Sequence, residues 1–221
     1  EKENGVIRQI SPDRVGKDIY VTFLKWAVGA GVRRYADRVF FWQVENELNA
    51  TAGHLANNWR IIEGSWADIR FQRRMMRELA AVVHAEGAKR GIPLKTVGTF
   101  CTAIPLWEMY VKWGQEDGID IVGADLYPNY YLGQPIVGSS MANTIAKAKK
   151  LSGGRPVWIL ETGYPRAPLV PNLFAPDAQA NYFKTVFERC FRAGADVILA
   201  FGWFWNPSGW FMDVIPPLPG T

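Results

Sequence analysis

The 221-residue sequence predicts an α/β fold, a parallel sheet covered by helices. Strand-like and helix-like segments alternate strictly along it. The strands read as nearly continuous apolar runs, as strands buried on both faces do. Length and a 48% apolar content suit one domain spanning residues 1–221 with a sizeable core. Five such strands can be counted.

Ser11-Pro12-Asp13 is an N-cap with proline at the first helical position, opening a helix towards Tyr35 with Phe23, Trp26 and Ala30 on one stripe. Residues 39–47 form the first strand. A long loop carrying Asn49, His54 and Trp59 leads to Ser65-Trp66-Ala67-Asp68, a capping-box-like start for a helix through Met76, Leu79 and Val83 to about Arg90. A strand over 94–100, a helix over 106–113 and a strand over 119–127 follow, the last ending in Tyr-Pro-Asn-Tyr-Tyr. A helix over 139–151 yields at Ser-Gly-Gly to the strand 157–161. Asp177 after Pro176 caps a helix through Tyr182, Val186 and Cys190, and the strand 197–205 closes the series.

The net charge is +4. Its densest basic cluster, Arg70, Arg73, Arg74 and Arg77, has the spacing of one solvated helix face, so no nucleic-acid partner is expected. No apolar run reaches the roughly 18 residues of a membrane span, and no membrane partner is expected. No signal-peptide pattern is present, and the chain is expected to begin inside a domain. Cys101 and Cys190 are too few for a disulfide framework and read as buried free thiols. The only histidines are His54 and His84, and no metal-ligand spacing is found, so neither metal nor cofactor is expected. His84 lies in a helical pattern and reads as structural.

Two segments carry chemistry. Trp42-Gln43-Val44-Glu45-Asn46-Glu47 and Val157-Trp158-Ile159-Leu160-Glu161-Thr162-Gly163-Tyr164-Pro165 each run an apolar strand into a carboxylate where the strand should end. Glycoside hydrolysis needs two carboxyl groups facing one bond, and parallel strands ending at one lip can deliver them. Together the segments resemble the clan A glycoside hydrolases, retaining β-glycosidases of the 4/7 superfamily. Glu161-Thr162-Gly163-Tyr164-Pro165 looks most like the Glu-Thr-Gly-Trp-Pro of plant-type 1,3-β-glucanases, with related forms among galactanases.

The resemblance implies a (β/α)8 TIM barrel, with Glu47 as acid/base ending the fourth strand, Asn46 as a sugar-binding amide, and Glu161 as nucleophile ending the seventh. The chain then holds strands four to eight and lacks the first three. Glu45 is a rival to Glu47. Tyr127 is either the tyrosine whose hydroxyl serves the nucleophile or a core aromatic, and Asp125 a structural carboxylate inside the barrel. Trp203 or Trp205 is expected as a sugar platform, since an apolar pyranose face stacks on an aromatic ring. His54 and Tyr164 lie where they could touch substrate, among further lip aromatics Trp59, Trp66, Trp107, Tyr130, Tyr131 and Trp210.

The implied activity is hydrolysis, with retention, of a β-linked glucan or related β-glycan as oligo- or polysaccharide. The alternative is a non-catalytic carbohydrate-binding remnant, or a fragment of a longer barrel enzyme. A secreted or periplasmic location is expected. The sequon Asn49-Ala50-Thr51 reads as unused, because a glycan there would obstruct the cleft, and this fits a bacterial host. Five strands cannot close a barrel, so the open edges at 39–47 and 197–205, beside Phe41 and Phe201, are expected to drive homodimer formation, with the tail 214–218 packing across the opening.

Overall fold

The computed structural model describes residues 2–3, 6–7, 12–51, 64–102, 106–127, 138–163 and 176–200. A small antiparallel ribbon, Lys2–Glu3 (β1) with Val6–Ile7 (β2), comes first. Helices Pro12–Val15 (α1) and Lys17–Tyr35 (α2) lead to Phe41–Glu45 (β3) and the short Leu48–Thr51 (α3). A 3-10 turn over Gly64–Ala67 precedes Ile69–Arg90 (α4), Lys95–Cys101 (β4), Trp107–Glu116 (α5) and Ile121–Asp125 (β5). Gly138–Leu151 (α6), Val157–Thr162 (β6), Pro176–Arg192 (α7) and Val197–Ala200 (β7) complete the series. The parallel strands follow the order β3-β4-β5-β6-β7 and alternate with helices, as in part of a (β/α)8 barrel. The chain divides into two compact units, one of residues 1–100 and 104–121, the other of 101–103 and 122–221.

In the first unit α2 lies against α4. The buried positions of α4, Phe71, Met75, Met76, Leu79, Ala80 and Val83, recur at helical spacing. Lys25 with Glu78, Arg33 with Glu86 and Arg74 with Asp18 are ion pairs between the two helices. Gly29 is buried on α2, and a Cβ there would stand 3.0 Å from Arg33 Nη1, the group that pairs with Glu86.

One sequence expectation changes here. Gly16, at φ 87, divides the helix expected from Pro12 into α1 and α2. The buried face of α2 is Val21, Gly29 and Val32, whereas Phe23 and Trp26 are 47% and 64% exposed. The Phe23 and Trp26 side of α2 is therefore an outer surface.

The start of α4 also differs in detail. Asp68, not Ser65, is the N-cap, its carboxylate accepting from the N–H groups of Arg70 and Phe71. Ser65 instead donates through both N–H and O–H to Asp13. Gly91 ends the helix in the left-handed conformation that terminates helices without strain. The arginines of α4 are not a free basic face: Arg73 pairs with Glu116 and Asp117 and lies over the Trp113 ring, and Arg77 pairs with Asp117.

In the second unit β5, β6 and β7 form consecutive parallel pairs, and every residue of β5 is buried. Met141, Ile145 and Ala148 of α6, and Tyr182, Val186 and Cys190 of α7, supply buried helical side chains. Burial pushes the Cys190 thiol up to about 11, as an inert core thiol requires. Cys101 is only half-buried, not the buried thiol expected.

An aspartate just before a strand closes the start of the preceding strand in both units. Asp120 accepts from Thr96 N–H at 2.8 Å and from Lys95, and is 2.7 Å from His84 Nε2. Asp196 accepts from Val157 N–H at 2.7 Å and from Lys149 at 2.7 Å. His84 therefore takes the structural place its helical pattern suggested. Among the described residues no helix is long and apolar enough to cross a membrane.

Candidate active site

The end of β3 departs from regular pairing. Gln43 stands opposite Val97 and Glu45 opposite Gly98, so β3 carries one extra residue at Val44. Such a bulge bends a strand and re-aims the side chains beyond it. Asn46 then forms a bend, and Glu47 follows at φ 44, in left-handed space that a non-glycine residue seldom enters. Glu47 is half-buried.

Local hydrogen bonds order this turn. Gln43 Nε2 donates to Asn46 Oδ1 at 2.8 Å and to the Glu45 carbonyl at 3.3 Å. Asn46 N–H donates to Glu45 Oε2 at 3.0 Å, which binds the rival carboxylate to its own strand end. Burial, with the Glu45 charge adding to it, pushes the Tyr20 hydroxyl up to about 12. Leu48 and Asn49 are buried directly after Glu47, Asn49 with 0% exposure. The sequon asparagine is thus inaccessible to glycosylation in the folded unit.

β6 shows the same irregularity at its carboxylate. Ala124 pairs with Ile159 and Asp125 with Glu161, while on the other side Ile159 pairs with Ile198 and Thr162 with Ala200. β6 therefore holds one residue more than either neighbour between Ile159 and Thr162. Glu161 lies inside that bulge, half-buried. Tyr127 donates its hydroxyl to Glu161 Oε2 at 2.8 Å, and Leu126 N–H donates to the Glu161 carbonyl at 2.9 Å. Asp125, at the end of β5, is 1% exposed, as expected of a carboxylate inside the fold.

Beyond Glu161 the chain is tied to the helix layer. Thr162 Oγ1 and Tyr182 Oη share a hydrogen bond, and both residues are 0% exposed. Tyr182 Oη also donates to Met141 Sδ at 3.9 Å. Sequence reasoning missed this contact, since Tyr182 reads as one more member of an apolar helical stripe. The bulges were missed too, because an extra residue in a strand leaves no compositional mark.

Trp66 and Trp107, expected among the lip aromatics, take part in packing. Trp66 meets Tyr20 and Phe71 edge-on, and Trp107 is 8% exposed at the start of α5. His54, Trp59, Tyr130, Tyr131, Tyr164, Phe201, Trp203, Trp205, Trp210 and the tail 214–218 lie outside the described residues. Among the described residues no group of His, Cys, Asp or Glu is placed to hold a metal ion.

No protein-family model matches the sequence, and no curated protein matches it. Solved structures do. A β-glucuronidase from an uncultured Clostridium species superposes with a TM-score of 0.58 at 13% identity, over 88% of this chain and 32% of that one. A β-glucuronidase from Ruminococcus gnavus, solved with uronic deoxynojirimycin, gives 0.60 at 12% identity over 88% and 32%. A family 17 β-1,3-glucanosyltransferase from Rhizomucor miehei reaches 22% identity over 65% of this chain and 53% of that one, but its TM-score of 0.49 adds nothing to the argument. The chain thus has a fold shared with glycosidases, and it spans about a third of the length of the β-glucuronidase chains it matches.

Proposed function

We propose that this chain hydrolyses β-linked glucans or related β-glycans with retention, Glu161 acting as nucleophile and Glu47 as acid/base. The observation that carries the reading is the Tyr127 hydroxyl on Glu161 Oε2 at 2.8 Å, which aims a carboxylate already turned by a strand bulge. The left-handed backbone of Glu47 supports its part, since strain of this kind concentrates at functional positions. Glu45 is disfavoured because its carboxylate caps Asn46 N–H.

In the first step a Glu161 oxygen attacks the anomeric carbon and the glycosidic C–O bond breaks, while Glu47 gives its proton to the departing oxygen. In the second, Glu47 takes a proton from water, whose oxygen displaces Glu161 and restores the carboxylate. Two inversions leave the β-configuration unchanged. Gln43 donating to Asn46 Oδ1 leaves the Asn46 Nδ2 group to donate to a sugar hydroxyl. Trp203 or Trp205 as platform, and His54 and Tyr164 as substrate contacts, complete the proposal.

The test is incubation of this chain with a panel of aryl β-glycosides and β-glucans, following product configuration by NMR. Turnover with a β-configured first product is expected. Binding without turnover would replace the hydrolase reading with a carbohydrate-binding one, and an α-configured first product would mean inversion.

A further inference from the structure

We infer that Tyr182 and Thr162 are positioning residues that hold the β6 bulge and thereby set the direction of Glu161; this rests on the nucleophile reading above. Glu161 sits in a segment with one residue more than the strands on either side. An extra residue leaves part of the ladder unpaired and gives the segment more than one way to settle. Something must choose among them. On the β5 side Leu126 N–H binds the Glu161 carbonyl and Tyr127 binds its carboxylate. Those contacts hold Glu161 from the β5 side only, and the chain leaving it is held from elsewhere.

The residue that leaves it is Thr162, whose hydroxyl meets Tyr182 of α7. Both are 0% exposed, so water cannot replace the bond, and a buried hydroxyl deprived of its partner is costly to leave in place. The pair therefore gives α7 a grip on the strand one residue past the nucleophile. Thr162 held against α7 fixes the far end of the bulge, and with it the backbone from which the Glu161 side chain projects. Tyr182 thus acts on the chemistry through Thr162 without touching substrate.

The experiment uses Tyr182→Phe, Thr162→Val and Thr162→Ser with a 2-deoxy-2-fluoro β-glycoside carrying dinitrophenolate. Capture forms the Glu161–anomeric carbon bond and expels dinitrophenolate with its electron pair. Tyr182→Phe and Thr162→Val are each expected to slow capture at saturating probe by about ten- to a hundredfold, with the half-saturating concentration changed by less than about twofold. Thr162→Ser should restore the rate. The double variant should be no slower than either single one, because both remove the same bond.

A second readout is the ring Cζ resonance of Tyr127 in protein labelled with carbon-13 at tyrosine Cζ. In Tyr182→Phe it should move towards its position in Glu161→Gln, reporting that the Tyr127–Glu161 bond has loosened. Saturating rates within twofold of the parent with an unmoved resonance, whatever the change in melting temperature, would make the pair purely structural and overturn the inference. Absence of capture in the parent chain would sink the nucleophile reading instead, and the Tyr127 resonance alone would then decide whether Tyr182 positions Glu161.

Discussion

Tyr127 reaches Glu161 from the strand before it, hydroxyl to carboxylate oxygen at 2.8 Å, and joins the ends of two adjacent parallel strands through one charge-directed hydrogen bond. Bonds to charged groups contribute about 1.5–3 kcal/mol. Tyr127→Phe should therefore lower the rate of aryl glycoside cleavage by about ten- to a hundredfold. Circular dichroism should show the fold retained. An unchanged rate would reduce Tyr127 to a core aromatic.

Replacing either proposed catalytic glutamate should cost orders of magnitude, for different reasons. Glu161→Ala removes the nucleophile and stops both steps. Glu47→Ala removes the proton donor, so substrates with good leaving groups should keep most of their first-step rate while poor leaving groups lose it. Pre-steady-state release of dinitrophenol against phenol makes the comparison. Equal slowing for both would take the acid role from Glu47.

Acid should weaken the first unit through Asp120. Burial works to raise this carboxyl, but the hydrogen bonds from Thr96, His84 and Lys95 outweigh it and hold the group below the usual carboxylate range. A folded value below the unfolded one means the stabilisation is present above the unfolded value, near about 3.9, and is lost as pH falls through the folded value. Asp120→Asn should destabilise the chain by about 1–3 kcal/mol at neutral pH. In urea unfolding the gap between parent and variant should close as the pH drops below about 4. A gap independent of pH would show that the carboxylate's charge is not what holds the turn.

Self-association is expected from the first unit. Ile19, Phe23 and Trp26 stand one helical turn apart on α2 with 65%, 47% and 64% exposure, and Phe41 on the end strand β3 is 50% exposed. A parallel strand is normally buried on both faces, and an open edge beside apolar side chains invites pairing with a second copy. Light scattering should report a dimer, and Trp26→Lys with Phe41→Lys should return the mass towards the monomer value of 24.9 kDa. A parent that stays monomeric as concentration rises would exclude the homodimer.

The alternation of strands and helices was legible because burial on two faces writes itself into composition, as in β5, where every residue is buried. The ends were less so. The strand expected over 119–127 is regular only over Ile121–Asp125, and Leu126 and Tyr127 turn to serve Glu161. The Glu161–Tyr127 pairing could be anticipated only through the family resemblance. No periodicity predicts which hydroxyl meets which carboxylate. Phe23 and Trp26 have helical spacing and lie on α2, but spacing alone does not say which face a neighbouring helix will cover, and theirs is exposed. A lone Gly16 outweighed the helical pattern around it because its φ of 87 suits no helix.

The left-handed backbone at Glu47 sets folding and chemistry against each other at one position. Alanine normally outlasts glycine in a folded chain, since glycine loses more freedom on folding. At φ 44 the order should reverse, Glu47→Gly being more stable than Glu47→Ala by about 1 kcal/mol, because only glycine adopts that conformation without steric conflict. Paired thermal melts would show it, and alanine ahead of glycine would mean the strain is absent. A selection that rewarded heat resistance alone would drift towards glycine here, erasing the side chain on which the proposed proton transfer depends.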